Sequence, residues 1–374
     1  MSENPLNRLH QLGQSLWLDY IRRDLIESGE LQQMIEADSL CGMTSNPTIF
    51  SKAIAGKDLY DGDIRAAGSE LSSAQVFERI AVEDIRRAAD VLRSVYDRAG
   101  GQDGLVSIEC RPELAYDTQA TIEEARHLWR ACDRPNVMVK IPGTREGLAA
   151  IETCLAEGIN INITLLFSVQ RYREVMEAWL KALERRVEAK QSVERLASVA
   201  SFFVSRVDTN IDKKLQQKLK ESPSQPDRQR IEGLVHQLAI ANARLAYVAF
   251  EEMMRGPRFE ALQAKGARAQ RPLWASTSTK DPALPDVYYV EALVAPDSVN
   301  TAPPETIEAY RDHGDPKVRI HDDLSGAHAA MEALAELGID FEAATRELEE
   351  EGVRKFSDSY NELLQTIETK RQRI

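Results

Sequence analysis

The chain has 374 residues, 43% hydrophobic and 29% charged, an ordinary globular composition with enough apolar material for a large core. Its 60 acidic residues outweigh 47 basic ones, and the net charge of -13 argues against nucleic acid or an anionic membrane as the main partner, so any phosphate site must be local. The polar start MSENPLNRLHQ lacks a signal-peptide core and no apolar run approaches the ~18 residues of a membrane helix, which points to a cytoplasmic protein.

Strand-like segments recur along the chain, and most are followed by helical patterns. In chain order they are SLWLDYI (15–21), LCGMTS (40–45), LVSIEC (105–110), NVMVKI (136–141), INITLLF (161–167), LASVASFFV (196–204), PLWAST (272–277) and SVNTA (298–302). After NVMVKI comes the amphipathic TREGLAAIETCLAEG, and after INITLLF the long SVQRYREVMEAWLKALERRVEA. Repeated strand, helix, strand units imply a parallel sheet with right-handed crossovers, and eight of them fit an α/β (β/α)8 TIM barrel. KESPSQPDRQR (220–230) divides one helical region into two, and RGPRFEALQAKGARAQRP (255–272) reads as a basic connection, weakly suited to steering anions. Beyond about residue 312 the pattern is helical to the end. The expected organisation is therefore a catalytic barrel over 1–312 and a helical extension over 313–374 packed on it.

Strands of a parallel barrel are covered on both faces and should read as nearly continuous apolar runs. Several here do not. In VMVKI, Lys140 shares its parity with Met138, while Val137, Val139 and Ile141 occupy the other face. Asn162 and Thr164 split from Ile161, Ile163 and Leu165 in the same way, as do Ser107 and Glu109 from Val106 and Ile108. Asp19 alternates with Leu16 and Leu18, and Ser201 with Ala200 and Phe202. Each strand has one apolar face and one that turns polar near its carboxyl end. For any one strand a structural hydrogen-bond network explains this; across five strands a shared cavity at the C-terminal rim explains it better.

Lys140 is the costliest of these residues, because lysine is almost never fully buried unless paired. It has two candidate roles: an ion pair with Asp19 or Glu109, or a desolvated amine that attacks a carbonyl to form a Schiff base.

These segments together resemble the transaldolase family over nearly the whole chain. GMTSNPTIF (42–50) is similar to that family's Thr-Ser/Thr-Asn-Pro signature and NVMVKIPGTREG to the segment carrying its Schiff-base lysine. SIECRPELAYDT (107–118), GININITLLFS (158–168) and SFFVSRVD (201–208) follow in the family's order and spacing. The resemblance implies a TIM barrel that moves a dihydroxyacetone unit from a ketose phosphate (sedoheptulose 7-phosphate or fructose 6-phosphate) to an aldose phosphate (glyceraldehyde 3-phosphate or erythrose 4-phosphate), in the non-oxidative pentose phosphate route. It implies imine formation by Lys140, acid/base work by Asp19 at the C4 hydroxyl, and a catalytic water held by Glu109 with Thr164. Asn46 and Asn162 would bind substrate hydroxyls, with Ser201 and Phe203 lining the same pocket, and Arg206 and Ser276 would take the phosphate. Many transaldolases carry a cationic residue where this chain has Ser278, and Lys280 is the expected substitute.

Two alternatives accompany this reading. In the related fructose 6-phosphate aldolases the position of Phe203 resembles tyrosine, whose hydroxyl helps release the intermediate to water; phenylalanine cannot donate that bond. A sugar-phosphate-binding barrel without catalysis has no need of a buried amine. Neither a cofactor nor a metal is expected. The four cysteines, Cys41, Cys110, Cys132 and Cys154, and the six histidines are scattered, with no CxxC, HExxH, P-loop or GxGxxG. Small-molecule sugar phosphates are the expected partners, with no nucleic acid or membrane; a homo-oligomer is left open.

Overall fold

Eight parallel strands close on one another in sequence order, β1 (Gln14–Asp19), β2 (Leu40–Thr44), β3 (Leu105–Glu109), β4 (Val137–Pro142), β5 (Ile161–Leu166), β6 (Ser198–Phe203), β7 (Arg271–Ala275) and β8 (Ser298–Ala302), with β8 pairing back to β1. The computed structural model describes residues 4–56, 58–221 and 224–374. Helices run between successive strands on the outside, so the expected (β/α)8 barrel is what the chain forms. Among the described residues no helix is long and apolar enough to cross a membrane.

The strand faces divide as the alternation requires. In register, Glu109 sits beside Lys140 and Lys140 beside Asn162, while Asp19 sits beside Thr44. Val137, Val139 and Ile141 on the opposite face of β4 are wholly buried. The barrel interior is filled by Trp17, whose indole passes so close to Gly42 that a Cβ there would lie 2.6 Å from the ring. Only glycine fits at that point of β2. A register shift between Ile163 and Leu166 marks a bulge in β5, where Leu165 has a positive φ of 63°. Bulges of this kind re-aim side chains beside active sites, and Thr164 immediately precedes it.

The bottom of the barrel is closed by a charge network whose arginine comes from the basic connection 255–272. Arg271 is the first residue of β7, is 8% exposed and pairs with Asp103 at 2.9 Å. Its guanidinium also donates to Ser15 Oγ at 2.7 Å, and that hydroxyl donates to Asp103 at 2.7 Å. Trp17 Nε1 completes the carboxylate's coordination at 3.2 Å. Within the same basic connection, Gly256 and Pro257 open the helix Pro257–Gln263, because proline at the first helical position sacrifices no intrahelical bond. Arg258 is held by Glu177 and Glu184. Arg271 and Arg258 are thus engaged in structural ion pairs.

The break at 220–230 falls between the helices Ser205–Lys220 and Gln225–Leu234, the second capped by Ser224 with Pro226 in its first turn. Ser222 and Pro223 lie outside the described residues. After β8 come the helices Pro304–His313, Leu324–Glu336 and Phe341–Arg373. The last, 33 residues and about 50 Å long at 1.5 Å per residue, crosses the C-terminal side of the barrel. Gly352 packs so tightly on Leu165 that a Cβ would meet it at 2.8 Å. Thr48 donates to Ser359 at 2.9 Å, Lys214 pairs with Glu347 at 2.6 Å, and Lys370 pairs with Asp61 at 2.7 Å.

Asp103→Ala should destabilise the fold by about 3–5 kcal/mol, since it strands a buried guanidinium. The double change Asp103→Leu with Arg271→Met should cost clearly less. Urea-unfolding midpoints distinguish the cases, and an Asp103→Ala midpoint equal to wild type would remove this network from the fold's stability.

Candidate active site

The C-terminal ends of the strands surround a cavity of about 450 Å³. Asp19, Asn46, Lys140, Thr164, Ser201 and Phe203 line its inner part, and Arg206, Ser276 and Lys280 its outer part. The alternation of β1, β4, β5 and β6 delivers the inner group apart from Asn46, because residues of one parity all point inward. Loops and helix starts just beyond the strands deliver the rest.

Lys140 is 6% exposed. Its Nζ donates to the carbonyl of Ser45 at 3.1 Å and stands 3.4 Å from Glu109 Oε1. The Phe356 ring lies 6.0 Å from the nitrogen, contributed by the C-terminal helix. The two roles weighed for Lys140 are thus compatible: a neighbouring carboxylate is within ion-pair distance, and the amine still opens onto the cavity. Burial pushes the carboxyl groups of both Asp19 and Glu109 above the ordinary carboxylate range, with Lys140 pulling each back. Asp19 also accepts a hydrogen bond from Thr44 Oγ1 at 2.8 Å, and that hydroxyl contacts Thr301 Oγ1 at 2.7 Å.

Glu109 and Thr164 add buried polar atoms to this end of the barrel. Neither carboxylate oxygen of Glu109 nor the hydroxyl of Thr164 has a hydrogen-bond partner, although all three atoms are buried. Leaving such groups unmade costs roughly 1–3 kcal/mol each, which a protein tolerates where a small polar molecule is to be bound. Glu109 also borders a second, more apolar cavity of about 470 Å³ that it shares with Asn46, Phe50, Phe77 and Tyr360.

Asn162 lies below the cavity floor. Its amide donates to Ser107 Oγ at 3.0 Å and its carbonyl accepts from Ser201 Oγ at 2.7 Å, so both ends are engaged within the barrel. Asn46 caps the helix Pro47–Gly56 by accepting from Ile49 N at 3.0 Å, the turn role its position before proline suggests, and it lines the cavity as well.

At the outer end, Arg206 opens the helix Ser205–Lys220 with its guanidinium 4.8 Å over the Phe203 ring, and Phe203 packs on Phe167 at 5.3 Å. Ser276 adopts a left-handed conformation with φ 56° and its hydroxyl meets Ser205 Oγ at 2.9 Å. Lys280 donates to Ser278 Oγ at 2.8 Å. Burial lowers the pKa of both Arg206 and Lys280, and for Lys280 the charge of Arg206 adds to the effect. Arg206, Lys280 and Lys52 all face this cavity, with Asp19 and Glu305 on the same lining, and the clustered cations suit an anionic ligand.

Sequence reasoning passed over Lys52, Thr301 and Phe356, all of which line this cavity. Lys52 lies midway along the helix Pro47–Gly56, where a single exposed lysine gives no signal in the sequence. Phe356 gives none either, since it sits in a highly charged helix whose docking only the tertiary structure reveals.

Residues 16–367 match the Transaldolase/Fructose-6-phosphate aldolase family. Over 375 residues the chain is 49% identical to the transaldolase of Acidothermus cellulolyticus, covering 97% of this chain and 96% of that protein. It is 47% identical over 370 residues to the transaldolase of Frankia alni, with 97% and 96% covered, and 44% identical over 374 residues to transaldolase 2 of a Nostoc species, with 99% and 98% covered. With a closed eight-stranded barrel, a rim lysine between carboxylates and this full-length similarity, the chain belongs to the transaldolase/fructose-6-phosphate aldolase family.

Proposed function

We propose that the chain is a transaldolase that transfers a dihydroxyacetone unit between sugar phosphates through an imine on Lys140. The observation that carries this reading is one buried amine opening onto a cavity, 3.4 Å from Glu109, with Arg206 and Lys280 at its outer end. The Lys140 amine attacks the ketose C2 carbonyl; Glu109, through a water shared with Thr164, gives and takes the protons as the carbinolamine loses water to form the imine. Asp19 then takes the proton of the C4 hydroxyl. The C3–C4 bond breaks, its electron pair moves into the imine to leave an enamine, and the aldose departs. An acceptor aldehyde meets the enamine, Asp19 returns the proton to the new hydroxyl, and hydrolysis frees the amine. Asn46 and Ser201 bind substrate hydroxyls and Asn162 holds Ser201 in place; Arg206, Ser276 and Lys280 hold the phosphate.

Phe203 favours transfer over simple cleavage. It packs on Phe167 and beneath Arg206 and carries no hydroxyl to protonate the enamine, so the three-carbon unit waits for an acceptor. The barrel (1–312) and the helical extension (313–374) act as one catalytic unit, because Phe356 walls the site beside Lys140.

Borohydride with fructose 6-phosphate should attach a dihydroxyacetone-derived adduct to Lys140, located by peptide mass mapping; its absence would sink the mechanism. Free dihydroxyacetone released rapidly without an acceptor would instead favour the aldolase. Asp19→Asn should cut transfer by about 10²-fold or more, and borohydride should then trap the uncleaved ketose phosphate on Lys140 in place of the three-carbon adduct. Bases whose pKa burial has raised lose activity as pH falls through that raised value, so the acid limb of kcat/KM should lie above the ~4 of an ordinary carboxylate. An acid limb at or below that value would contradict the assignment of Asp19 and Glu109 as bases. Arg206→Ala should raise KM for fructose 6-phosphate by about 10–100-fold, the loss of one charged hydrogen-bonding group, and Lys280→Ala should do so less strongly.

A further inference from the structure

Behind the outer end of the cavity, the two elements that carry its cations are tied together by one imidazole. Arg206 opens the helix Ser205–Lys220, and Lys280 lies on the segment 276–285 that follows β7. Four residues apart on that helix, Asp208 and Asp212 engage the turn at 236–239. Asp208 accepts from Ala239 N at 2.7 Å and from the Tyr289 hydroxyl at 2.8 Å. Asp212 accepts from His236 N at 3.1 Å, and its other oxygen stands 2.7 Å from His236 Nδ1.

The second ring nitrogen of His236 faces the other element. Nε2 lies 3.5 Å from Asp281 Oδ2. Asp281 Oδ1 accepts from Ala283 N at 2.8 Å and so caps the turn of the segment. Neighbouring residues thus take opposite jobs: Lys280 lines the cavity, while Asp281 reaches back to the imidazole.

His236 is held in an unusual state to do this. It is a non-glycine residue at φ 61°, and such strain persists only where the surroundings over-determine it. The Tyr288 hydroxyl donates to its carbonyl at 3.2 Å, which together with the bond from its N–H to Asp212 fixes the backbone on both sides. The titratable groups around the ring are Asp208 and Asp212 from the helix, Asp281 from the segment, and Tyr288 and Tyr289 from the helix Tyr288–Ala292. Arg206 and Lys280 carry like charge and face one cavity, with Asp19 and Glu305 on the same lining.

We infer that His236 is a positioning residue for the phosphate end of the substrate: by bridging Asp212 and Asp281 it holds Lys280 and the Ser276–Ser278 stretch at a set distance from Arg206. The inference rests on the reading of Arg206 and Lys280 as phosphate ligands. Its cost to the unliganded site is that the cations are kept together; its return is a clamp that needs no closure when the phosphate arrives.

Two variants test it. His236→Gly accepts the positive φ without strain and removes the ring; Asp281→Asn keeps the acceptor for Ala283 N and removes the charge that faces the ring. Steady-state constants are measured with fructose 6-phosphate and with unphosphorylated fructose. Each variant should raise KM for fructose 6-phosphate by about three- to fivefold, the range of a partly exposed ion pair. KM for fructose and kcat for both ketoses should hold within about twofold, and the double variant should be no worse than the singles because both break one link. Equal changes with the two ketoses, or no change in either single variant, would overturn the inference and leave His236 with a purely structural role. Arg206→Ala in the same assay separates the two layers of argument. If it leaves KM for fructose 6-phosphate unchanged, the phosphate reading itself fails; if it raises KM while the His236 and Asp281 variants do not, only the positioning role fails.

Discussion

Everything in this molecule depends on keeping one amine inside a protein. Lys140 sits on a strand whose other face is wholly buried, where an unpaired ammonium would cost several kcal/mol. The barrel meets that cost with two neighbours, the Ser45 carbonyl and the Glu109 carboxylate, rather than with a full set of ligands. A closed set would make the lysine a structural ion pair. An incomplete one leaves it open to the cavity, beside the Glu109 carboxylate and the Thr164 hydroxyl, which makes no hydrogen bond within the protein.

The architecture divides stability from chemistry along the barrel axis. At the N-terminal end Arg271, Asp103, Ser15 and Trp17 form a network in which the carboxylate accepts from three side chains. At the C-terminal end the strands instead open onto a cavity lined by Asp19, Lys140 and Thr164. The C-terminal helix extends the second half of this scheme, since it brings Phe356 to the amine and presses Gly352 onto Leu165 at the bulge beside Thr164.

Much of this was legible from the order of residues because strand parity is a local property. A polar residue at every second position of several apolar runs identifies the inward face, and inward faces at one end of a barrel meet in one place. Lys140, Asp19, Glu109, Thr164 and Ser201 were all readable in this way. Asn162 shows the limit of the method: it has the right parity but lies a layer deeper, engaged by Ser107 and Ser201, because parity gives direction and not height. Arg271 was misjudged for a related reason. It closes a stretch rich in basic residues, whereas its partner Asp103 is 168 residues away.

The sequence by itself determined the barrel, its inward faces and the identity of the rim residues, since these follow from periodicities of a few residues and from side-chain types. Only the tertiary structure decided which of those residues share the cavity, that a charged terminal helix supplies an aromatic wall, and that His236 stands between the helix carrying Arg206 and the segment carrying Lys280. Those facts depend on contacts between segments far apart in the chain, and such contacts exist only once the sheet has closed and the helices have packed around it.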